Sequence, residues 1–316
     1  MFKDPKWSHN GGMSFEHVFN ELEIDAEPFA LCELQGRCEL GLGRRSGATL
    51  HYVLGGQGEI VFHGRPPIGV ERGTLVLVPA LQTHTLRSFG EPGHPIPDCH
   101  PAELNLVRHL QAGEQADSGG KLLAVCSDVR VGLRGVGGLV DLVREPIVEQ
   151  VASDAAISAP VDRLLRELSA PTLGSRAMIR ALLLECIIQL FRKRLQARDP
   201  ALNWMAALID ERLWSALRLM LDRPSHPHTV ESLAEVAGMS RSSFAARFSD
   251  AYGSGPMKLL RDLRMHLAAS LLTQSELPVK RIAELAGFHS RSAFTRTFES
   301  TTGMSPRSFR ADAKKK

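Results

Sequence analysis

The stretch SRSSFAARF at residues 240–248 returns fifty residues later as SRSAFTRTF at residues 290–298. Extended outward, the two copies read AEVAGMSRSSFAARFSDAYGSGP (234–256) and AELAGFHSRSAFTRTFESTTGMSP (283–306), and the second has one extra residue, His289. A near-repeat of this length predicts two structural units of the same kind close to the C-terminus. This repeat decides the fold of that part of the chain.

Each copy contains the parts of a helix-turn-helix. In the first, Gly238 permits the left-handed backbone that ends a short helix. Ser240 is a good N-cap for a second helix, in which Phe244 and Phe248, four residues apart, bury against the first. The predicted apolar face of the first helix consists of Leu233, Ala234, Val236 and Ala237.

The second copy repeats these parts, and a helix joins the two. The corresponding residues are Ile282, Ala283, Leu285, Ala286, Gly287, Ser290, Phe294 and Phe298. The connecting stretch 257–272 places four leucines on one face, at 260, 263, 267 and 271. Its sixteen residues span about 24 Å as a helix. With its flanking turns, such a spacer holds two reading helices about one DNA turn, roughly 34 Å, apart.

Residues 204–310 resemble the AraC/XylS family of bacterial transcription regulators. The resemblance is carried by AGFHSRSAFTRTF (286–298), GMSPRSFR (303–310) and the two-motif layout. It implies two helix-turn-helix units on a linker helix that read successive major-groove segments of double-stranded promoter DNA. It also implies RNA polymerase as a partner.

The same resemblance assigns the DNA-facing positions. They are Arg241, Ser242 and Ala245 in the first motif and Arg291, Ser292, Thr295 and Arg296 in the second. Many relatives have Arg where this chain has Ala246. The neighbouring Arg247 is turned by about 100° around the helix, so we expect it to contact phosphate rather than a base edge. The second motif should therefore make more side-chain hydrogen bonds to bases than the first.

Charge is distributed unevenly along the chain. Residues 201–316 contain 17 Lys and Arg against 11 Asp and Glu, whereas residues 1–200 contain 21 against 24. The basic half carries the repeat, and this excess is compatible with a phosphate backbone as partner. The sequence has no apolar run long enough for a membrane span, and residues 1–10 lack the apolar core of a signal peptide. We expect a cytoplasmic protein without a membrane partner.

The first part of the chain has a different texture. Between about 28 and 135, Gly and Pro separate short apolar runs, which are ALCEL, HYVLGG, GEIVFHG, GTLVLVP and LLAVC. Such runs predict the strands of an antiparallel sandwich or barrel. The stretch 88–103, with four Pro and two Gly, is predicted to be a loop. From about 139 the pattern becomes helical.

The pattern in 175–197 predicts an amphipathic helix with a broad apolar face, formed by Ile179, Leu182, Leu183, Cys186, Ile187 and Leu190. This face either packs within its own domain or forms a homodimer interface. The polar stretch 196–204 is predicted to be a linker. The resulting α+β prediction has a cupin-like antiparallel β-barrel sensor (1–138), a helical dimerisation segment (139–199) and an all-α double helix-turn-helix domain (200–316).

The cupin prediction rests on two motifs. GTLVLVPALQTH (73–84) fits Gly-x5-Pro-x4-His, with Leu81 where Gly is usual, and HYVLGGQG (51–58) resembles the end of the first cupin motif. His51 and His84 are then candidate ligands of a divalent metal, which needs three or four ligands. Further ligands would come from Cys32, Cys38, His94, Cys99 or His100. The alternative is two barrel histidines that are hydrogen-bonded without metal.

Five cysteines, an odd number without an export signal, are expected to be free thiols. Some cupin-bearing members of the AraC family sense oxidants through cysteines, so Cys32 and Cys38 are candidate sensors. Cys38 is favoured because Arg37 adjoins it and Arg44 and Arg45 are near in sequence. Cys126 and Cys186 lie in apolar runs and are expected to be buried and inert.

These observations predict a sequence-specific DNA-binding transcription regulator whose cupin-like domain senses a small molecule or an oxidant, with no catalysis. One alternative is a metal-dependent cupin enzyme that carries a DNA-binding module, but the first cupin motif lacks its His-x-His pair. Another is a nucleoid-type DNA-binding protein without an effector. In that case the N-terminal part of about two hundred residues would have no function.

Overall fold

A computed structural model describes residues 15–20, 22–26, 30–42, 47–91, 96–101, 120–133, 143, 145–151 and 154–313. The strands are β1 (Leu22–Ala26), β2 (Ala30–Gln35), β3 (Glu39–Leu42), β4 (Ala48–Phe62), β5 (Ile68–Glu71), β6 (Thr74–Val78), β7 (His84–Ser88), β8 (Ile96–Pro101), β9 (Lys121–Leu133) and β10 (Ile147–Gln150). The helices are α1 (Phe15–Asn20), α2 (Ala155–Ser169), α3 (Ser175–Gln196), α4 (Asn203–Leu208), α5 (Glu211–Asp222), α6 (Val230–Val236), α7 (Arg241–Tyr252), α8 (Pro256–Gln274), α9 (Val279–Leu285), α10 (Arg291–Thr302) and α11 (Pro306–Ala313).

The strands form a curled antiparallel sheet whose long strand β4 belongs to both of its parts. The first half of β4 pairs with β6 and β9, and its second half pairs with β5 and β7. A register shift between Val53 and Gly55 bends the strand between the two parts. The bend brings backbones close together: a Cβ at Gly56 would lie 1.8 Å from the carbonyl oxygen of Lys121, so only glycine fits there. The two apolar runs predicted as separate strands are therefore one strand.

Strand β8 lies inside the stretch 88–103, for which the prediction of a loop is wrong in part. Its backbone pairs with β2 in antiparallel register, from Ala30 opposite Pro101 to Gln35 opposite Ile96. β8 is an outermost strand in the order β10-β6-β4-β9-β2-β8. Proline is tolerated in an edge strand because one side of that strand needs no backbone donors. The Pro-rich composition therefore concealed a strand.

Strand β10 is also unexpected, since it lies within the segment 139–199 that the sequence pattern assigned to helices. It pairs with β6, from Ile147 opposite Leu77 to Gln150 opposite Thr74, and the long helices begin only at Ala155. The sheet therefore continues beyond the predicted boundary at 138. The three domain boundaries remain a prediction.

The central strands are buried on both faces. One face lines the barrel interior with an apolar cluster that includes Cys32, Val76 and Cys126. The other face, with Leu50 and Leu75, is covered by α2 and α3. The predicted apolar face of α3 is buried within its own chain, including all six residues named for it above. This finding favours internal packing for that face, and the dimerisation role of the segment stays a prediction.

The predicted linker 196–204 is packed rather than solvated. It contains the 3₁₀ turn Pro200–Leu202 and the start of α4, and Leu202 is almost completely buried. Trp204 lies edge-on to Phe191 of α3, with ring centroids 6.4 Å apart. The same apolar cluster runs without interruption from the outer sheet face through α2 and α3 into α4–α7 and the first half of α8. The cupin-like domain and the first helix-turn-helix thus share one core.

The α+β fold class is confirmed, with a cupin-like antiparallel barrel followed by an all-α region that contains both helix-turn-helix units. In the part of the chain that the structure describes, no helix is long and apolar enough to cross a membrane.

Candidate functional site

The first helix-turn-helix is formed by α6 and α7. A capping box starts α6, because Thr229 Oγ1 accepts from the Ser232 backbone and Ser232 Oγ accepts from the Thr229 backbone. The turn contains Gly238 with φ 60°, and Ser240 Oγ accepts from the Ser243 backbone to cap α7. Val236 does not join the apolar face predicted for α6, since it is 47% exposed.

The second unit, α9 and α10, repeats this geometry. Gly287 has φ 77° in the turn, and Ser290 Oγ accepts from the Ala293 backbone to cap α10. Both aromatic pairs, Phe244 with Phe248 and Phe294 with Phe298, are completely buried. The aromatic side chains therefore fix which side of α7 and α10 faces outward.

The residues predicted to contact DNA lie on that outward side. Six are exposed, namely Arg241, Ser242, Arg247, Arg291, Ser292 and Arg296, while Ala245 and Thr295 are partly exposed. Two of these arginines form ion pairs within the protein. Arg241 Nε lies 2.9 Å from Glu231 Oε1, and Arg247 Nη2 lies 2.9 Å from Asp210 Oδ2. A DNA contact by either arginine would compete with its ion pair.

Helix α8 and one partly buried arginine connect the two motifs. The helix has 19 residues, three more than predicted, and spans about 28 Å. Arg264 on α8 donates from Nε to the Pro224 carbonyl (2.8 Å) and from Nη2 to the His226 carbonyl (2.9 Å). Gly287 of the second motif closely approaches the same loop, since a Cβ there would lie 2.7 Å from the Ser225 carbonyl oxygen. Arg264 and Gly287 thus connect α8 and the second motif to the loop that precedes the first motif.

The barrel interior contains a hydrogen-bonded chain of four side chains. Cys126 Sγ lies 3.3 Å from Cys32 Sγ and 3.0 Å from His51 Nδ1. His51 Nε2 lies 2.7 Å from His84 Nε2, and His84 Nδ1 lies 3.2 Å from the Gln82 carbonyl oxygen. All four side chains are buried. We call this set the Cys–His cluster.

The Gln82 carbonyl oxygen determines which ring nitrogens of His84 and His51 carry a proton. A carbonyl oxygen only accepts, so His84 donates from Nδ1 and, as a neutral ring, accepts at Nε2. His51 then donates from Nε2 and accepts at Nδ1, which faces the Cys126 thiol. Burial, followed by the proximity of His84, lowers the pKa of His51 well below its usual value. The His51 imidazole is therefore neutral at neutral pH.

The geometry of the two histidines fits a direct hydrogen bond better than a metal site. Two nitrogens bound to one zinc ion at 2.0–2.1 Å lie about 3.3 Å apart in a tetrahedral site, whereas His51 Nε2 and His84 Nε2 are 2.7 Å apart. Among the described residues, no three His, Cys, Asp or Glu side chains are grouped so as to hold a metal ion. His94 lies outside those residues, as do the side chains of Cys99 and His100. The arrangement matches the alternative of hydrogen-bonded barrel histidines.

Two further cysteines, Cys38 and Cys186, lie outside this cluster. Cys38 Sγ is 3.6 Å from the Gln35 carbonyl oxygen and 3.4 Å from Ser88 Oγ, and Arg44 and Arg45 lie outside the described residues. Cys186 is in α3, where burial raises the pKa of its thiol to about 12. A thiol with this pKa stays protonated and unreactive, as expected for Cys186.

An apolar cavity lies between the outer sheet face and the two helices that cover it. Its lining is formed by Leu50, Tyr52, Leu75, Val125, Val161, Leu164, Leu165, Leu168, Leu183 and Cys186. The only polar groups of this lining are a phenol and a thiol, so the cavity suits an apolar occupant.

Two family models match the chain, and they coincide with the two halves of the fold. A cupin family model matches residues 14–196, which is more than half of the chain, and a helix-turn-helix domain model matches residues 233–312. The chain belongs to the cupin-bearing AraC-type transcription regulators. As such it is a sequence-specific DNA-binding protein.

Curated relatives of this AraC-type regulator are themselves regulators. The RCS-specific HTH-type transcriptional activator RclR of Escherichia coli K12 is 41% identical over 108 residues, which cover 34% of this chain and 38% of RclR. The HTH-type transcriptional regulator AlkR of Acinetobacter baylyi is 23% identical over 299 residues, which cover 93% of this chain and 97% of AlkR. Among solved structures, an AraC-type DNA-binding protein from Chromobacterium violaceum is 28% identical, covers 32% of this chain and 91% of its own, and superimposes with a TM-score of 0.31.

Three features of the regulator's sites were not predicted from the sequence. Cys126 was expected to be inert but adjoins Cys32, from which it is separated by 94 residues. Glu231 and Asp210, the ion-pair partners of Arg241 and Arg247, were not identified. Their positions gave a sequence signal only for helix starts, since Glu231 lies in the first turn of α6 and Asp210 is the N-cap of α5. Leu81 was noted only as a departure from the cupin motif, and it lies in the core of the second helix-turn-helix.

Proposed function

We propose that α7 and α10 are the reading helices of the regulator and that they enter successive major-groove segments of one promoter. The observation that carries the proposal is the matched geometry of the two motifs. In each, a serine-capped helix buries two phenylalanines and turns its polar residues outward. The eight DNA-facing residues named above are the proposed contacts.

The ion pairs support a division of labour between the two helices. Arg241 and Arg247 are neutralised by Glu231 and Asp210 before DNA binds. For Arg291 and Arg296, no acidic partner is found within ion-pair distance among the described residues. We therefore assign direct base reading mainly to Arg291 and Arg296, and backbone positioning mainly to the first motif.

The test is the double variant Arg291→Ala with Arg296→Ala. Chromatin mapping first identifies a bound promoter, and fluorescence anisotropy then measures Kd at fixed salt concentration. We expect a loss of a few kcal/mol, which is about a hundredfold or more in Kd. Arg163→Ala on α2 removes one arginine from the helical segment 139–199 and should leave Kd unchanged. Equal affinity of the double variant and the parent would refute the assignment.

We further infer that the regulator acts without catalysis, as a cytoplasmic homodimer that contacts RNA polymerase. The reported relatives are transcription regulators, and the histidine pair is engaged in a hydrogen bond of its own. Since α3 uses its apolar face internally, a dimer surface must include other residues. Leu173, just before α3, and Met178, in its first turn, are both exposed and offer apolar area for this contact.

For the signal, we propose oxidation of the Cys–His cluster to a Cys32–Cys126 disulfide. The two sulfurs must approach by about 1.3 Å to reach bonding distance. With hydrogen peroxide, the Cys126 thiol becomes a sulfenic acid and one water is released. The Cys32 thiol then displaces the hydroxyl group as a second water and forms the S–S bond. His51 Nδ1 is placed to accept the Cys126 proton and return it to the departing oxygen.

Mass spectrometry tests this proposal. Reduced protein is treated with hydrogen peroxide, blocked by alkylation and digested without reductant. We expect a peptide pair linked through Cys32 and Cys126, together with a change in promoter affinity. Both should be lost in Cys32→Ser and in Cys126→Ser and kept in Cys186→Ser. If the change in promoter affinity were lost only in Cys38→Ser, Cys38 would be the sensor, as the sequence favours. If the oxidant had no effect on promoter affinity, a small molecule in the apolar cavity would be favoured as the signal.

A further inference from the structure

Leu81 has a backbone conformation that leucine rarely adopts. It lies in the loop 79–83 between β6 and β7, with φ 60°. Within the described residues, Arg198 is the only other residue besides glycine with positive φ. Glycine is usual at this position of the cupin motif and would adopt this φ without strain. A strained residue persists only where surrounding contacts hold it, so the side chain of Leu81 requires an explanation.

The side chain is inserted into the other end of the molecule. Leu81 is 6% exposed and belongs to an apolar cluster whose other buried members are Met265, Ala268, Ala269, Leu272, Ile282, Ala283, Ala286, Phe294, Phe298 and Phe309. All ten lie in the second half of α8, in the second helix-turn-helix or in α11. Among the described residues of this cluster, Leu81 alone comes from the cupin domain.

The same loop leads directly into the Cys–His cluster. His84 begins β7 three residues after Leu81, and its Nδ1 lies 3.2 Å from the carbonyl oxygen of Gln82 in the loop. Its Nε2 lies 2.7 Å from His51 Nε2, and His51 Nδ1 in turn faces Cys126. A change in the protonation or bonding of Cys126 therefore reaches the loop through three consecutive hydrogen bonds.

We propose that Leu81 is a docking contact through which the cupin domain controls the second helix-turn-helix. The first motif shares a continuous core with the cupin domain, so it is always coupled to that domain. Among the described residues of its apolar cluster, the second motif meets the cupin domain through one side chain on a short loop. Release of Leu81 frees the second motif to reorient relative to the barrel, which changes how both reading helices engage one promoter. The effect on promoter binding rests on the proposed function, whereas the docking of Leu81 does not.

Hydrogen exchange of the full chain, with and without Leu81→Gly, tests the docking. The glycine removes the side chain and suits the positive φ. We expect amides in α9–α11 to exchange at least several-fold faster, while amides of β4 and of α7 keep their rates. Arg198→Gly is the matched control, because it relieves the same backbone conformation at an exposed position and should change neither region. If Leu81→Gly also accelerates exchange in β4, Leu81→Asn, which tolerates positive φ, replaces it.

Unchanged exchange in α9–α11 for both Leu81 variants overturns the docking proposal, whatever the DNA measurements show. Promoter affinity then tests its consequence. In the parent, oxidation should shift Kd several-fold, whereas in Leu81→Gly the reduced and oxidised proteins should have equal Kd. An equal oxidant response in parent and variant rejects Leu81 as the route of control. Failure of the Arg291 and Arg296 assignment would appear separately, as unchanged Kd in that double variant.

Discussion

His51 has a hydrogen-bonding neighbour on each side of its ring, and both are buried with it. Its Nε2 faces His84 and its Nδ1 faces Cys126. A proton added to His51 at Nδ1 would remove the acceptor that faces Cys126. It would also place a charge in an apolar barrel. His51 is therefore neutral in the resting cluster.

This neutrality predicts a pH dependence of stability. The pKa of His51 is lowered on folding, so the unfolded chain binds the proton more readily. The contribution of His51 is fully present above pH 6.5 and is lost as the pH falls below it, by up to about 1.4 kcal/mol per pH unit. Urea unfolding between pH 8 and pH 5 should show this loss, and His51→Gln should reduce it. Burial also lowers the pKa of His228, so the loss of stability that is due to His228 should remain in this variant. An identical pH profile in His51→Gln would contradict the assignment.

At the scale of secondary structure, the two motif turns look alike but have different surroundings. Gly238 and Gly287 both have positive φ. A Cβ at Gly238 would meet no atom within 4 Å, whereas one at Gly287 would lie 2.7 Å from the Ser225 carbonyl oxygen and 2.9 Å from the Ser225 Cα. The second turn therefore carries a contact between the motifs that the first lacks.

This difference yields a matched pair of variants. Gly238→Ala should cost only the strain of a left-handed alanine, about 1–2 kcal/mol in the free energy of unfolding. Gly287→Ala should cost about 1–3 kcal/mol more, because the methyl group displaces the Ser225 loop. It should also weaken promoter binding by changing the separation of the two reading helices. Denaturant titration and anisotropy measure the two effects, and equal losses in both variants would show that the Ser225 contact is unimportant.

The motif helices were predictable because their signals are local. Gly238, Ser240 and the Phe244–Phe248 pair lie within eleven residues, and capping, turn and burial follow from that short stretch. Strand β8 was missed for the opposite reason, since its pairing with β2 involves residues more than sixty positions away. The Cys32–Cys126 contact likewise depends on the register of β2 against β9, which no local pattern reveals.

At the scale of the whole molecule, the predicted linker 196–204 shows what composition conceals. Polar residues such as Asp199 gave this stretch a linker-like composition, but Asp199 forms a 3.0 Å ion pair with Arg194 near the end of α3. Glu149 of β10 binds both Lys193 (2.7 Å) and Arg194 (2.9 Å), which ties the sheet to the end of α3. Composition identifies charged residues without showing whether they face water or one another.

The core that joins the sheet to the first motif also constrains how such a gene can be assembled. A crossover between Phe191 and Trp204 would combine side chains that had not been selected to fill one interior, and the hybrid would fold poorly. The barrel and the first helix-turn-helix would then be inherited as a unit. The second helix-turn-helix is joined to them by α8, by the approach of Gly287 to the Ser225 loop and by Leu81, so the outward side of α10 is freer to diverge and follow changes in the promoters that the regulator serves.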